Sequence, residues 1–84
     1  MKTIKVYRLK KDVFTPQTVY ITKGAEVVNL IDLDFDLGLI VVCDSTSSES
    51  DLRTFKVCDT FTTIYDDRIK YIGNFGAQHV IEIL

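Results

Sequence analysis

Apolar residues in this chain recur at every second position, in short runs. No window of useful length carries them at the three- and four-residue spacing of a helix. Period two is the signature of a strand with one face buried. The residue types agree: Val, Ile, Thr, Tyr and Phe supply 36 of the 84 residues, against 2 Ala and 3 Glu. Branched and aromatic side chains fit a pleated, half-covered surface and are poor helix formers. The chain is therefore constrained to an all-β fold.

Reading the runs in order predicts the elements. Residues 2–9 (KTIKVYRL) alternate, with Ile4 and Val6 on one face and Tyr7 and Leu9 on the other. Lys10, Lys11 and Asp12 break the pattern, and Pro16 blocks ladder pairing. Strands follow at 17–22 and 26–33, separated by a turn at Lys23-Gly24. Asp34 to Asp36 form a hairpin loop before the strand 37–43. That strand contains IVVC, apolar on consecutive residues, as in a strand covered on both faces by a second sheet or another subunit. Residues 44–51 (DSTSSESD) have no apolar member and read as a surface loop. Residues 52–58 alternate again, a short strand is expected near Phe61–Tyr65 with a turn at Asp66-Asp67, and strands at 69–75 and 79–84 flank Gly76. The expectation is one domain over residues 1–84, a small antiparallel β-sandwich or barrel of seven to eight short strands.

Composition excludes several classes. A chain that is 46% hydrophobic with a net charge of −2 collapses and is not disordered. No apolar run approaches the roughly 20 residues that cross a bilayer as a helix. MKTIKVYRLKK carries charge through its apolar positions, unlike a secretory leader. These features predict a soluble intracellular protein without a membrane partner. A chain of this size buries only roughly 60–65% of its unfolded surface, so stability is modest or shared with a partner.

The small net charge hides segregation. Residues 1–23 carry six bases and one acid, residues 24–51 carry seven acids and no base, and residues 52–84 carry four of each. Three readings follow: solvated faces that neutralise each other, subunits meeting basic part to acidic part, or an acidic surface that occupies the nucleic-acid groove of a basic protein. The bases are too few and too balanced for direct nucleic-acid binding.

The residues for catalysis are sparse. Cys43 and Cys58 lie in strand runs and read as two reduced core thiols, in preference to a disulfide or a metal pair. The single histidine, His79, has no CxxC or HxxxH partner and no serine in a nucleophile-elbow context. Asp32, Asp34 and Asp36 alternate; in a strand they share a face and in a loop they could hold a hard cation, but the glycine and terminal glutamate of a calcium loop are missing. No glycine-rich phosphate loop occurs. The expectation is no enzyme, no cofactor, no metal and no catalytic residue.

The segments MKTIKVY (1–7), QTVYITKGAEVV (17–28), RTFKVCDT (53–60), KYIGNF (70–75) and HVIEI (79–83) resemble, in order, a family of small, uncharacterised tailed-bacteriophage proteins with the pattern MKTIYKY, QTVxLPxGAxIL, RxFxIxGTG, YIGTF and an HVFE-like terminal strand. Two departures stand out: Cys58-Asp59-Thr60 replaces the family's GTG, and Ile21-Thr22-Lys23 replaces its LP before the glycine. The resemblance implies a small β fold of phage origin and transfers no catalytic residue; Gly24 and Gly73 match as backbone positions. An 84-residue, phage-like β domain without catalytic chemistry leads to the expectation of a non-enzymatic binding protein in the host cytoplasm that counters antiviral immunity, by sequestering a nucleotide second messenger or by binding a host defence protein. The alternative is a structural role in the virion or its assembly. For a nucleotide, Arg53, Arg68 and Lys70 are the phosphate candidates, with Tyr71 as platform and His79 beside it. For a protein partner, the candidates are Asp32, Asp34 and Asp36. Self-association is expected from the Leu37–Cys43 run and the opposed charge.

Overall fold

The alternation of the sequence becomes two sheets. The computed structural model describes residues 1–84 and has seven strands: β1 (Lys2–Lys10), β2 (Gln17–Thr22), β3 (Glu26–Leu33), β4 (Asp36–Asp44), β5 (Ser50–Asp59), β6 (Ile69–Phe75) and β7 (Gln78–Ile83). One sheet has the order β1-β4-β3 and the other β2-β5-β7-β6, and every pair is antiparallel. Edge strands of the two sheets adjoin, β1 beside β2 and β3 beside β6. The fold is an all-β antiparallel sandwich. No helix is long and apolar enough to cross a membrane.

The core lies between the sheets. From the three-stranded sheet come Leu9, Leu37, Leu39, Val41 and Cys43, and from the other come Ile21, Phe55, Val57 and Val80. The apolar run 37–43 divides strictly by pleat. Its odd members are buried, while Gly38, Ile40 and Val42 face outward beside Ile4 and Val6 of β1. Gly38 is glycine because its neighbours close over it. A Cβ there would stand 2.6 Å from Ile31 Cγ2 and 2.8 Å from Val6 Cγ1.

Three expectations are corrected. No strand forms near Phe61–Tyr65. β5 and β6 both run antiparallel to β7, hence parallel to each other, so the chain must cross from one end of the sandwich to the other. Residues 60–68 make that crossing over the outer face of β7, with a bend at Asp67-Arg68 instead of a turn at Asp66-Asp67. The polar loop is also shorter than 44–51. Asp44 ends β4, and Ser50 and Asp51 pair with Thr22 and Ile21 of β2. Backbone pairing needs no apolar side chain, so polarity misplaced the boundary. Cys43 and Cys58 are both free, buried thiols, as expected; Cys43 packs between the sheets, and only Cys58 lies elsewhere. It sits on the outer face of its sheet, buried where the crossing segment passes.

Candidate functional site

Four connections meet at one end of the sandwich. The Lys10 N–H donates to Gln17 Oε1 at 2.7 Å, closing the base of the 11–16 loop. Lys11 Nζ donates to Asp32 Oδ1 at 2.7 Å and to the Asp34 carbonyl at 2.6 Å, and stands 5.9 Å from the Phe75 ring centroid. The Thr60 N–H donates to the Ala77 carbonyl at 3.1 Å, joining the start of the crossing segment to the β6–β7 turn. Of the five phenylalanines, only Phe55 is in the core; Phe14, Phe35, Phe61 and Phe75 all stand at this end. Phe14 is 87% exposed, Phe35 is 93% exposed and Phe61 is fully exposed. Phe61 also has φ of 72°, a left-handed conformation that a bulky side chain adopts only when its surroundings hold it there.

Beside this end, the crossing segment and the outer faces of β5, β6 and β7 enclose a recess of about 170 Å³ lined by Cys58, Asp59, Thr60, Phe61, Thr62, Ile64, Tyr71, His79 and Ile81. His79 lies between two hydroxyls, with Nε2 2.8 Å from Thr60 Oγ1 and Nδ1 2.7 Å from the Tyr71 hydroxyl. A neutral imidazole has one donor and one acceptor, and the two hydroxyls satisfy both. Cys58 faces His79 across the β5–β7 pair, a residue combination found in cysteine nucleophiles. Here the chemistry opposes it. Burial pushes the Cys58 thiol above its ordinary value of 9.0, and Asp59 and Asp66 push the same way while Lys56 opposes. The thiolate is disfavoured, and the imidazole is already engaged by two hydroxyls.

The sequence-derived nucleotide set is dispersed. Tyr71 and His79 come together, with ring centroids 5.8 Å apart. Arg68 lies at the far end of β6, where its carbonyl accepts the Leu84 N–H, and Lys70 alternates with Tyr71 onto the opposite face of β6. Arg53 faces the interior and is occupied. Its Nε and Nη2 donate to the two carboxylate oxygens of Glu82 at 2.6 and 2.7 Å, and its Nη1 donates to the Ala25 carbonyl at 2.7 Å. The recess thus brings an aromatic platform and a carboxylate, Asp59, but no cation for a phosphate.

Asp32, Asp34 and Asp36 do not share a strand face. Asp34 occupies the turn with φ of 69°, Asp32 pairs with Lys11, and Asp36 pairs with Arg8 at 3.3 Å. All three belong to the end that carries the phenylalanines. The Lys11 ammonium holds the Asp32 carboxyl below its ordinary value of 3.8, chiefly by its hydrogen bond. A lowered carboxylate pKa gives a contribution that is complete above 3.8 and is lost as the pH falls through the lowered value. Carbon-detected NMR should therefore show Asp32 titrating below 3.8, and Lys11→Met should return its midpoint toward that value. A midpoint unchanged by the substitution would show that Lys11 does not secure this loop.

Fold and site together define a small antiparallel sandwich with a phenylalanine-bearing loop end and a narrow, largely apolar recess beside it. No protein-family model, curated protein or solved structure matches the chain. The exposed phenylalanines were not among the residues that sequence patterning picked out. Their signal was position: Phe14 in KDVFTP, Phe35 in DLDFD and Phe61 in DTFTT are large apolar residues in turn-forming contexts where no sheet face can bury them.

Proposed function

We propose that this chain is a non-enzymatic, phage-encoded binding protein that counters host antiviral immunity by occupying a host defence protein. The observation that carries this reading is the loop end, where Phe14, Phe35 and Phe61 are exposed on turns anchored to a rigid sandwich. Aromatic side chains enter the centres of protein interfaces, with charged groups at the rim. Lys11, Asp32, Asp34, Asp36 and Arg8 supply such a rim, and the first two already hold each other in place. The resemblance to phage proteins supports the antiviral context. Between the two modes expected from sequence, the paired Arg53 and the lack of a cation in the recess favour a protein over a nucleotide.

The test is plaque formation by a defence-sensitive phage on hosts that carry different defence systems and express this protein. The expected result is rescue against at least one system. Rescue should be lost in Phe14→Ser/Phe35→Ser, whose β-type circular dichroism spectrum should remain unchanged. Truncating one central aromatic contact costs about 2 kcal/mol or more, a roughly 30-fold loss of affinity. Failure to rescue against any system would favour a role in the virion or its assembly. Calorimetry with cyclic and linear nucleotides should give no heat, and heat from any of them would restore the sequestration mode.

A further inference from the structure

The geometry points to the outer face of the β1-β4-β3 sheet as a homodimer interface, with the twofold axis running along β4. This face has no covering layer within the chain. The pleat places Ile4 and Val6 of β1, Ile40 and Val42 of β4 and Ile31 of β3 on it together. Ile4 is 70% exposed and Val6 is 50% exposed, although both stand in regular strand. Soluble sheets open to water on one side alternate apolar-in with polar-out. Here the outward positions at the middle of the sheet are aliphatic.

Charge surrounds the apolar centre and selects the partner. Lys2, Arg8 and Lys10 share the outward side of β1, while Glu26 is the outward charge of β3. Asp36 and Asp44 stand at the two ends of β4, opposite Lys10 and Lys2. The β1 flank is therefore basic, the β3 flank has one acid and no base, and the middle strand ends in acids, an asymmetry a second copy can match. Two face-to-face twofold arrangements are available. With the axis along β4, β1 of each copy lies over β3 of the other, which brings Lys2 near Glu26 of the partner and Lys10 beside the partner's β4 end at Asp36. With the axis across the strands, β1 lies over β1, and Lys2 meets the like charges at the far end of the same strand in its partner. The first arrangement sets bases of each copy beside acids of the other, although Asp36 and Asp44 meet their own copies on the axis; the second sets Lys2 against Lys10 and Asp36 against Asp44.

The size fits a dimer of moderate affinity. Three strands of eight or nine residues make a face about 30 Å long and 14 Å wide, from roughly 3.4 Å per residue and 4.8 Å per strand. Covering it in both copies removes on the order of 1,000 Å² from water, near the lower edge of specific interfaces, so a micromolar dissociation constant is expected. The axis has a consequence for function. Rotation about the strand direction leaves both loop ends pointing the same way, so a dimer presents two phenylalanine-bearing ends side by side and can engage a repeated or symmetric target with avidity. The interface itself does not depend on what those ends bind.

Sedimentation of the intact protein at tens of micromolar, chosen around that expected affinity, should give dimer mass. Ile4→Lys should raise the dissociation constant at least about tenfold with its circular dichroism intact and, at concentrations where both proteins are monomers, an unchanged melting temperature, because a residue so exposed contributes little to the monomer. The axis is tested by brief crosslinking with a bis-maleimide spanning about 10 Å, the spacing of packed sheets. Val42→Cys should crosslink to itself and Val6→Cys should not, while native Cys43 and Cys58 are buried. Monomer mass for the native protein, or a dimer unaffected by Ile4→Lys, would overturn the interface. Self-crosslinking of Val6→Cys without Val42→Cys would overturn the axis.

Discussion

Glu82→Ala should destabilise the protein by about 3 kcal/mol, toward the lower end of what breaking a buried ion pair costs. Glu82 and Arg53 face each other inside the sandwich, with side chains 8% and 20% exposed. Both carboxylate oxygens and two guanidinium nitrogens are used, a forked geometry that leaves neither partner an easy substitute. Removing the carboxylate leaves the guanidinium with only the Ala25 carbonyl among its present partners. A domain of this length has a total stability of about 4–12 kcal/mol, so the variant should populate unfolded chain at low urea. The double variant Arg53→Met/Glu82→Leu should recover most of the loss, because two apolar side chains of similar volume leave no buried charge behind. Urea titration followed by circular dichroism measures both. A loss below about 1 kcal/mol in Glu82→Ala would show the pair to be solvated and replaceable.

Phe55→Ala should cost about 3–5 kcal/mol, the range for deleting a fully buried aromatic ring. Phe55 is wholly buried and is the largest side chain between the sheets. Its ring also lies 5.7 Å from the Arg53 guanidinium carbon, and Phe55 stands opposite Glu82 in the β5–β7 register. The cavity would open directly beside the ion pair, so the losses in Phe55→Ala and Glu82→Ala should not add in a double variant. Phe55→Leu keeps most of the volume and should cost less than about 1.5 kcal/mol. Thermal melts of the four variants, read against the native protein, decide this. If Phe55→Ala melted within a few degrees of the native protein, the two sheets would not share the core described above.

Much of the fold is legible in the sequence itself. The alternation in KTIKVYRL, the turns at Lys23-Gly24 and Gly76, and the hairpin loop at Asp34 to Asp36 each correspond to an observed element, the last with Asp36 already in β4, because pleat and turn chemistry act within a few residues. What failed was non-local. The stretch 61–65 carries Phe, Thr, Ile and Tyr in a strand-like mixture, yet it pairs with no strand, and the parallel relation of β5 and β6 makes it a crossing segment. Ser50 and Asp51 read as loop, yet the edge of β2 supplies their ladder.

The candidate site divides along the same line. Tyr71 and His79 were marked by residue type, and strand pairing brought them together. Arg53 was marked as a free cation, and only the fold revealed its carboxylate, 29 positions away in sequence. By itself the sequence determined an all-β chain, its strands and most of its turns, since those follow from side-chain period and local backbone preference. The tertiary structure alone decided which charges are already paired, that four phenylalanines share one end, and that one sheet keeps an aliphatic outer face, because each depends on which distant strands become neighbours.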